Sequence, residues 1–149
     1  GTIPQDWISL SNLVRLSLKG NQMYGTIPSG MGDLAMLQEL HLQRNSFRGK
    51  LPSDISSLTS LGWLSLEENQ FTGTLPLGVS AMVSLEGLEF RNNKFRGTLP
   101  ASYGSMSLLR ILDVSSNFLS GSIPLEWDLL LNLAALSLHD NALHGEVSD

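Results

Sequence analysis

An asparagine returns at a fixed interval of 24 residues along the chain. The stretch from Leu109 to Pro124, LRILDVSSNFLSGSIP, shows the unit around it, in which leucine, glycine and proline recur at set distances from the asparagine. A period of this length is typical of a stacked array, in which each unit buries its apolar edge against its neighbours. Six units account for 144 of the 149 residues, so we predict a single array spanning residues 1–149. The repeating asparagines are Asn21, Asn45, Asn69, Asn93, Asn117 and Asn141.

Apolar and polar residues alternate just ahead of each asparagine, which predicts a short strand with one buried face. If the strands stack in parallel at about 4.8 Å, their apolar positions form continuous ridges inside the array. The first ridge is Leu13, Leu37, Leu61, Leu85, Leu109 and Leu133. The second is Leu16, Leu40, Leu64, Leu88, Leu112 and Leu136, and the third is Leu18, Leu42, Leu66, Phe90, Val114 and Leu138.

The asparagines themselves are predicted to be structural. An interior amide must be satisfied, and its C=O and NH₂ groups can bond the backbone of their own and the adjacent turn. A large apolar residue follows two positions later and is expected to form a core spine. This spine consists of Met23, Phe47, Phe71, Phe95, Leu119 and Leu143.

A glycine and then a proline complete the visible pattern of each unit. The glycines at 25, 49, 73, 97, 121 and 145 predict a positive φ or a close backbone approach. All six prolines fall in one later column, which predicts an extended piece on the flank of the array. Ser, Gly and Thr are frequent in the rest of the unit, so tight turns or 3₁₀ pieces are expected there rather than long α-helices.

The pattern LxxLxLxxNxLxGxIPxxLxxL resembles the plant-type leucine-rich repeat over essentially the whole chain. The resemblance implies an α/β class fold: a right-handed, curved solenoid with a short parallel sheet on its concave side. It also implies turns and 3₁₀ pieces on the convex side, and a second short strand at the Gly-x-Ile-Pro segment. Such arrays are similar to ectodomains of plant receptor-like kinases and receptor-like proteins, and to secreted inhibitors of polygalacturonase.

Two features depart from or add to this resemblance. The cysteine pairs that flank such ectodomains and the Asn-x-Ser/Thr glycosylation signal are both missing from this sequence. The segments 3–7 (IPQDW) and 123–127 (IPLEW) are similar to a Pro-x-Glu-Trp signature in leucine-rich surface antigens and proteophosphoglycans of kinetoplastid parasites. Core packing is the simpler explanation for the tryptophan in each.

Charge and composition exclude several classes of partner. A net charge of −5 without a basic run argues against nucleic acid, and no apolar run approaches the roughly 18 residues that cross a bilayer. The absence of cysteine removes disulfides and thiolate metal sites. Because the chain opens at Gly1 and stops at Asp149 in mid-repeat without polar caps, we expect a fragment of a longer protein that can associate end to end.

The outward side chains of the first strand in each unit, with the residues just around it, are named here the concave face. They can vary without loss of the fold, so recognition is expected there. Trp63 is the most informative, because an outward tryptophan has no core to join and tryptophan is enriched in binding hot spots. The alternative is a ring lying flat over neighbours such as Glu39. The candidate contact residues are Trp63, His41, Ser65, Glu67, Glu89, Arg91, Arg110, Asp113, Arg15 and Glu39.

Charges on this face are expected to pair across neighbouring units and to tune specificity more than stability. The expected pairs are Glu67 with Arg91, Glu68 with Arg44, and Glu86 with Arg110. Glu89 and Asp113 are like charges in adjacent units, but an open sheet offers no closed pocket for acid–base chemistry. The three histidines lack metal-site spacing.

The sequence therefore predicts a non-catalytic module that recognises a protein or peptide on its concave face, without cofactor or metal. A cell-surface receptor or a secreted protein is the expected parent, with an extracellular or cell-surface location. Two alternatives stay open: a structural spacer within a surface antigen, and an enzyme inhibitor like those of polygalacturonase.

Overall fold

A computed structural model describes residues 1–145 of the chain as two parallel sheets joined by short 3₁₀ helices. Residues 146–149, where the sequence stops in mid-repeat, lie outside the described residues. Every unit repeats the order first strand, second strand, 3₁₀ helix, so neighbouring units are in register along the array.

The first sheet has six parallel strands of three residues each, in the order β1-β3-β5-β7-β9-β11. Leu16 pairs with Leu40, and Leu40 with Leu64, which confirms the predicted stacking of the second ridge. The strands are β1 (Arg15–Ser17), β3 (Glu39–His41), β5 (Trp63–Ser65), β7 (Gly87–Glu89), β9 (Ile111–Asp113) and β11 (Ala135–Ser137).

The second sheet lies on the flank of the array. It also has six parallel strands, in the order β12-β10-β8-β6-β4-β2. Strands β2, β4, β6, β8 and β10 end at the repeating glycine or one residue beyond it, just ahead of the Ile-Pro or Leu-Pro step, because proline has no N–H to extend the ladder. This confirms the predicted second strand. The strands are β2 (Tyr24–Gly25), β4 (Ser46–Gly49), β6 (Gln70–Thr74), β8 (Lys94–Thr98), β10 (Phe118–Gly121) and β12 (Ala142–Leu143).

The return path of each unit is a 3₁₀ helix of three to five residues, as predicted. The N–H of the residue that follows each helix donates to the carbonyl three residues earlier, as Leu58 does to Ile55 at 3.2 Å. The helices are Gln5–Ser9, Met31–Asp33, Ser53–Ser57, Leu77–Ala81, Ala101–Ser105 and Leu125–Leu129.

The core between the two sheets and the 3₁₀ helices consists of the predicted ridges. The ridge side chains from Leu37 to Leu112 are fully or almost fully buried. The spine is continuous: the rings of Phe47 and Phe71 stack with centroids 6.3 Å apart, and Phe71 and Phe95 follow at 6.4 Å. In the outermost units the ridges are less covered, because each has a neighbouring unit on one side only.

The asparagine ladder has the predicted geometry. The side-chain amide of Asn69 donates to the carbonyls of Leu66 in its own unit, at 3.0 Å, and of Leu42 in the preceding one, at 2.9 Å. Its Oδ1 accepts the N–H of Phe47 at 3.0 Å. Asn45, Asn93, Asn117 and Asn141 repeat this arrangement. The ladder therefore links consecutive units in the interior through hydrogen bonds between uncharged groups.

Two backbone features support the turns. The repeating glycines have positive φ, for example 83° at Gly49, which confirms the reason predicted for that column. The residue just before five of the asparagines is also left-handed without being glycine, which the sequence did not indicate. These residues are Arg44, Glu68, Asn92, Ser116 and Asp140, with φ between 52° and 57°.

Units approach closely on the convex side at Gly32 and, to the same extent, at Gly104. A Cβ added there would lie 2.1 Å from the carbonyl oxygen of Asp54. The Asp54 carboxylate also accepts the N–H groups of Gly30 at 2.8 Å and of Gly32 at 3.1 Å. One aspartate therefore joins the 3₁₀ turns of two successive units.

Candidate functional site

Two rows of side chains form the concave face, and the pairing of the first sheet sets their order. The register places Trp63 between Glu39 and Gly87, and Ser65 between His41 and Glu89. The first row is Arg15, Glu39, Trp63, Gly87, Ile111 and Ala135. The second is Ser17, His41, Ser65, Glu89, Asp113 and Ser137. Strand geometry points alternate residues to the same face, so both rows belong to the concave face.

Trp63 lies half-buried on this face with its orientation set by the next strand. Its indole Nε1 donates to Oε2 of Glu89 at 2.8 Å. The ring covers Gly87, where an added Cβ would lie 2.5 Å from the indole Cδ2. Because Gly87 has no side chain, the ring can settle on the sheet there. The ring therefore lies over Gly87, and Glu39, proposed as its support, instead bonds other side chains.

Glu39 is the centre of a charged group on the other side of Trp63. Its Oε2 accepts from Arg15 Nε at 2.9 Å and from His41 Nε2 at 2.9 Å. The hydrogen bond from His41, with the positive charge of Arg15, lowers the pKa of the Glu39 carboxyl. These three predicted residues therefore form one hydrogen-bonded cluster that spans two repeats.

An open depression of about 370 Å³ lies beside Trp63 and brings four predicted residues together. Three further lining residues were not among the predicted contacts. They stand one position ahead of each strand, at the edge of the sheet, and their place in the repeat was the signal that could have found them. The lining consists of Arg15, Gln38, Glu39, His41, Gly62, Trp63 and Glu86.

Arg110 lies apart from this depression, although it was predicted as part of the same surface. It approaches Glu86 at 3.9 Å and lines a second depression of about 470 Å³. The expected pair of Glu68 with Arg44 also forms, at 3.4 Å. The expected ion pair of Glu67 with Arg91 does not form among the described residues.

Glu67, Glu89 and Asp113 make the opposite side of Trp63 acidic. Partial burial and the nearby charges of Glu89 and Asp113 raise the pKa of Glu67, and the charge of Arg91 offsets this only in part. Asp113 has a structural task as well, since its Oδ1 accepts both the N–H and the hydroxyl of Ser115.

Ser65 and Gln43 depart from the sequence analysis. Ser65 was predicted as a contact residue, but it is 0% exposed. Ser65 therefore has no surface for a partner in this structure, which corrects that prediction. Gln43 was not singled out and is only 7% exposed. Within residues 1–145, Ser65 Oγ and Gln43 Oε1 are buried without a hydrogen-bond partner.

The described residues contain no group of three or more His, Cys, Asp or Glu side chains arranged to hold a metal ion. No helix among residues 1–145 has both the length and the apolar character needed to cross a bilayer.

Comparison with known proteins identifies the family. Residues 12–34, 36–58 and 108–130 match the family model described as Leucine Rich Repeat. The ectodomain of the receptor kinase SOBIR1 from Arabidopsis thaliana superposes with a TM-score of 0.81 at 32% identity, over 86% of this chain and 70% of that one. The chain belongs to the leucine-rich-repeat family.

Longer receptors contain a region similar to this leucine-rich-repeat chain. A TDR receptor matches with a TM-score of 0.96 and 38% identity over 99% of the chain, which spans 26% of that receptor's chain. The plant peptide hormone receptor RGFR1, solved in complex with RGF2, matches with a TM-score of 0.80 and 31% identity, over 96% of this chain and 27% of that one. No curated protein sequence matches the leucine-rich-repeat chain.

The leucine-rich-repeat architecture also accounts for the tryptophan of the Ile-Pro-x-x-Trp segment near the C-terminus. Trp127 stacks on Tyr103, with ring centroids 6.4 Å apart, and its Nε1 donates to the carbonyl of Pro100 at 2.9 Å. Burial raises the pKa of the Tyr103 hydroxyl far above its usual range. Trp127 is thus a core residue of the leucine-rich-repeat array.

Proposed function

We propose that this array recognises a protein or peptide through its concave face, and that it does so as part of a cell-surface receptor or a secreted protein. The observation behind the proposal is that the Trp63 ring has a fixed orientation beside an open depression. The ring is seated on Gly87 and hydrogen-bonded to Glu89, so a partner would meet it already ordered.

An anchor ordered in advance favours binding, because less side-chain entropy is lost when the complex forms. Tryptophan supplies a large apolar area for such an anchor, and it is among the residues enriched at hot spots. The bonded group of Arg15, Glu39 and His41 on one side adds fixed charges for selectivity. A long shallow surface with these features suits an extended chain better than a small molecule.

Structures of related receptors support this proposal. RGFR1 is a peptide hormone receptor solved with RGF2, PEPR1 is solved with AtPEP1, and HAESA is solved with the peptide hormone IDA and the co-receptor SERK1. By analogy with these ectodomains, we propose an extracellular location for the array.

Selection of a displayed random-peptide library on the immobilised protein tests the proposal. We expect enriched peptides whose affinity falls about tenfold or more with Trp63→Ala. The matched control is Leu131→Ala, which removes a side chain that is 86% exposed and outside the concave face. This control should bind as the wild type does.

Circular dichroism should show both variants folded. A selection without any enriched peptide would contradict the proposal and favour a spacer. Peptides that bind Trp63→Ala and wild type equally would place recognition on another surface.

A further inference from the structure

The outward side of the second sheet is basic, although the chain has a net charge of −5. Its strands alternate around the inward phenylalanine spine, so Arg48, Lys94 and Arg96 point outward, and all three are exposed. Lys50 directly follows strand β4 and is exposed as well. The strands of this sheet contain no Asp or Glu, and within residues 1–145 no acidic group lies within ion-pair distance of these cations. The four side chains are named here the basic flank.

Lys50 departs from the repeat at its position. The column that follows the repeating glycine is otherwise mostly Thr or Ser, at Thr2, Thr26, Thr74, Thr98 and Ser122. The aliphatic stem of Lys50 covers Gly73 of the next unit, where an added Cβ would lie 2.9 Å from Lys50 Cγ and 3.6 Å from Cε. The stem therefore packs against the sheet while the ammonium group stays in solvent.

An apolar depression of about 490 Å³ opens beside Lys50. Its walls include Leu51 and Pro76, which are half-buried, and Leu77, which is 67% exposed. Gly78 also lines the depression and has no side chain to fill it. The depression can therefore take a large apolar side chain next to the charge of Lys50.

The other cations of the basic flank lie on the far side of strand β6. Arg96 on strand β8 pairs with Thr74, which lines the depression at the end of β6. The Arg96 guanidinium lies 5.8 Å from the centroid of the exposed Phe118 ring. A ring face contacts the charge without occupying its N–H groups, so these can still donate to an anion. Because β6 lies between β4 and β8, basic side chains stand on both sides of the depression.

The size of the second sheet fits a linear segment. Its six strands stand about 4.8 Å apart, and none is longer than five residues. The outward face therefore measures roughly 24 Å by 16 Å, or about 400 Å², whereas each partner in a standard protein–protein interface contributes about 800 Å². A short extended segment covers such a face, and a globular surface would extend beyond it.

We propose that the basic flank and its depression form a docking site for an acidic segment of a partner protein. One large apolar side chain of the segment contacts Leu51, Pro76 and Leu77, and the adjacent carboxylate pairs with Lys50. Further carboxylates lie along the strands toward Arg96. Cations without acidic neighbours complement an anionic chain. The depression favours a peptide over a polysaccharide or nucleic acid, because those polymers carry no aliphatic side chain to fill it. The site is separate from the concave face, so this inference does not rest on the proposed function.

A displayed library of short peptides tests the docking site. Each peptide has Leu or Phe at its centre and Asp, Glu, Ser or Gly at random elsewhere. The library is selected on the immobilised protein, and the enriched peptides are then titrated by fluorescence anisotropy at low and high salt. We expect acidic residues beside the central one, and affinity that falls as salt rises, because the cations are exposed.

Two variants locate the binding, each with a matched control. Lys50→Thr installs the residue that most units carry and should weaken binding of the enriched peptides about fivefold. Lys19→Thr removes the same charge from an exposed residue outside the second sheet and should bind as the wild type does. Leu77→Ala should weaken binding about tenfold. Leu125→Ala removes a leucine that is 69% exposed at the same position two units later, and it should have no effect.

Several outcomes would overturn the docking site. These are a selection without enriched peptides, and peptides that bind Lys50→Thr and Leu77→Ala as tightly as the wild type. An equal loss of affinity in Lys19→Thr would show attraction to the net charge alone, with the same consequence.

Polygalacturonate and a single-stranded DNA oligonucleotide are titrated in the same assay to test the class of partner. Both should bind more weakly than the enriched peptides. If either polymer bound more tightly and lost affinity in Lys50→Thr, the occupant would be a polysaccharide or a nucleic acid and the proposed peptide segment would be wrong.

Discussion

The indole Nε1 of Trp63 donates a 2.8 Å hydrogen bond to Oε2 of Glu89 on the neighbouring strand. This bond crosses the first sheet and holds the ring flat against Gly87. An exposed tryptophan would normally sample several rotamers, so the bond and the glycine together keep one orientation. The concave face therefore presents an ordered aromatic surface flanked by the paired charges of Arg15 and Glu39 on one side and by an acidic area on the other.

Gly87→Ala is expected to displace Trp63. The new methyl would lie 2.5 Å from the indole, so the ring must leave its seat and its bond to Glu89 should break. Since the ring can move toward solvent, the free energy of unfolding should fall by only about 1 kcal/mol. The Trp63 indole N–H signal in a ¹H–¹⁵N spectrum should shift strongly. Gly62→Ala is the control, because its nearest heavy atom would be 3.7 Å away. An unmoved indole signal in Gly87→Ala would contradict this account.

Asn69→Ala should be far more harmful than Asn21→Ala. The first change leaves the buried Phe47 N–H without its partner, while the Leu42 and Leu66 carbonyls each lose one donor and keep another, from Asn45 and Asn93. We expect a loss of about 1–3 kcal/mol in the free energy of unfolding. Asn21 is exposed and bonds only carbonyls of its own unit, so its loss should cost less than about 1 kcal/mol. Urea unfolding measures both, and similar midpoints would show that the ladder does not hold the units together.

Gly32→Ala should destabilise the convex side. A methyl group there would meet the Asp54 carbonyl oxygen at 2.1 Å, and a backbone atom held by the next unit cannot turn aside as a side chain can. The expected loss is about 1–3 kcal/mol or more. Ser56, at the same position one unit later, already has a Cβ. Ser56→Ala should therefore change the free energy of unfolding by about 0.5 kcal/mol or less. Thermal unfolding distinguishes the two, and a Gly32→Ala protein as stable as Ser56→Ala would refute the close approach.

Glu67 should make the protein less stable as pH rises. Its pKa is raised above the ordinary 4.5 in the folded state, so the folded chain holds this proton more tightly than the unfolded chain does. The stabilising contribution is complete below the unfolded value and disappears as pH rises through the folded pKa. Glu67→Gln removes this dependence, so it should match the wild type near pH 4 and be slightly more stable near pH 7.

The effect should be small, because water still reaches much of the Glu67 carboxyl and screens its charge. Glu68→Gln, which removes an exposed partner of Arg44, is the matched control and should not gain stability at neutral pH. Denaturant titrations at the two pH values measure the difference. If Glu67→Gln gained nothing between acid and neutral pH, the cause assigned to the shift would be wrong.

Much of the fold followed from periodicity. A constant interval of 24 residues requires equivalent residues to stack, so the ridges, the phenylalanine spine and the asparagine bonds could all be predicted from one unit. The outward direction of Trp63 followed in the same way, from its place directly before the inward Leu64. The left-handed residues such as Glu68 were missed because charged residues rarely mark such a position.

Contacts between neighbouring side chains could not be predicted in this way. Glu67 and Arg91 are adjacent in sequence register yet form no ion pair within residues 1–145, whereas Glu39 takes two partners at once. Ser65 belongs to the outward row, between His41 and Glu89, but is fully buried. Each outcome depends on which rotamer a side chain adopts when several possible partners lie at similar distances.

The sequence by itself determined which residues are inside the array, which face outward and which neighbours share a row, because a strict repeat leaves one way to stack. The tertiary structure alone decided that Trp63 rests on Gly87, that Glu89 holds it and that Ser65 and Gln43 are buried without partners. The physical reason is that stacking is set by the period, whereas a side chain's position is set by the space and the hydrogen-bonding groups that neighbouring units leave for it.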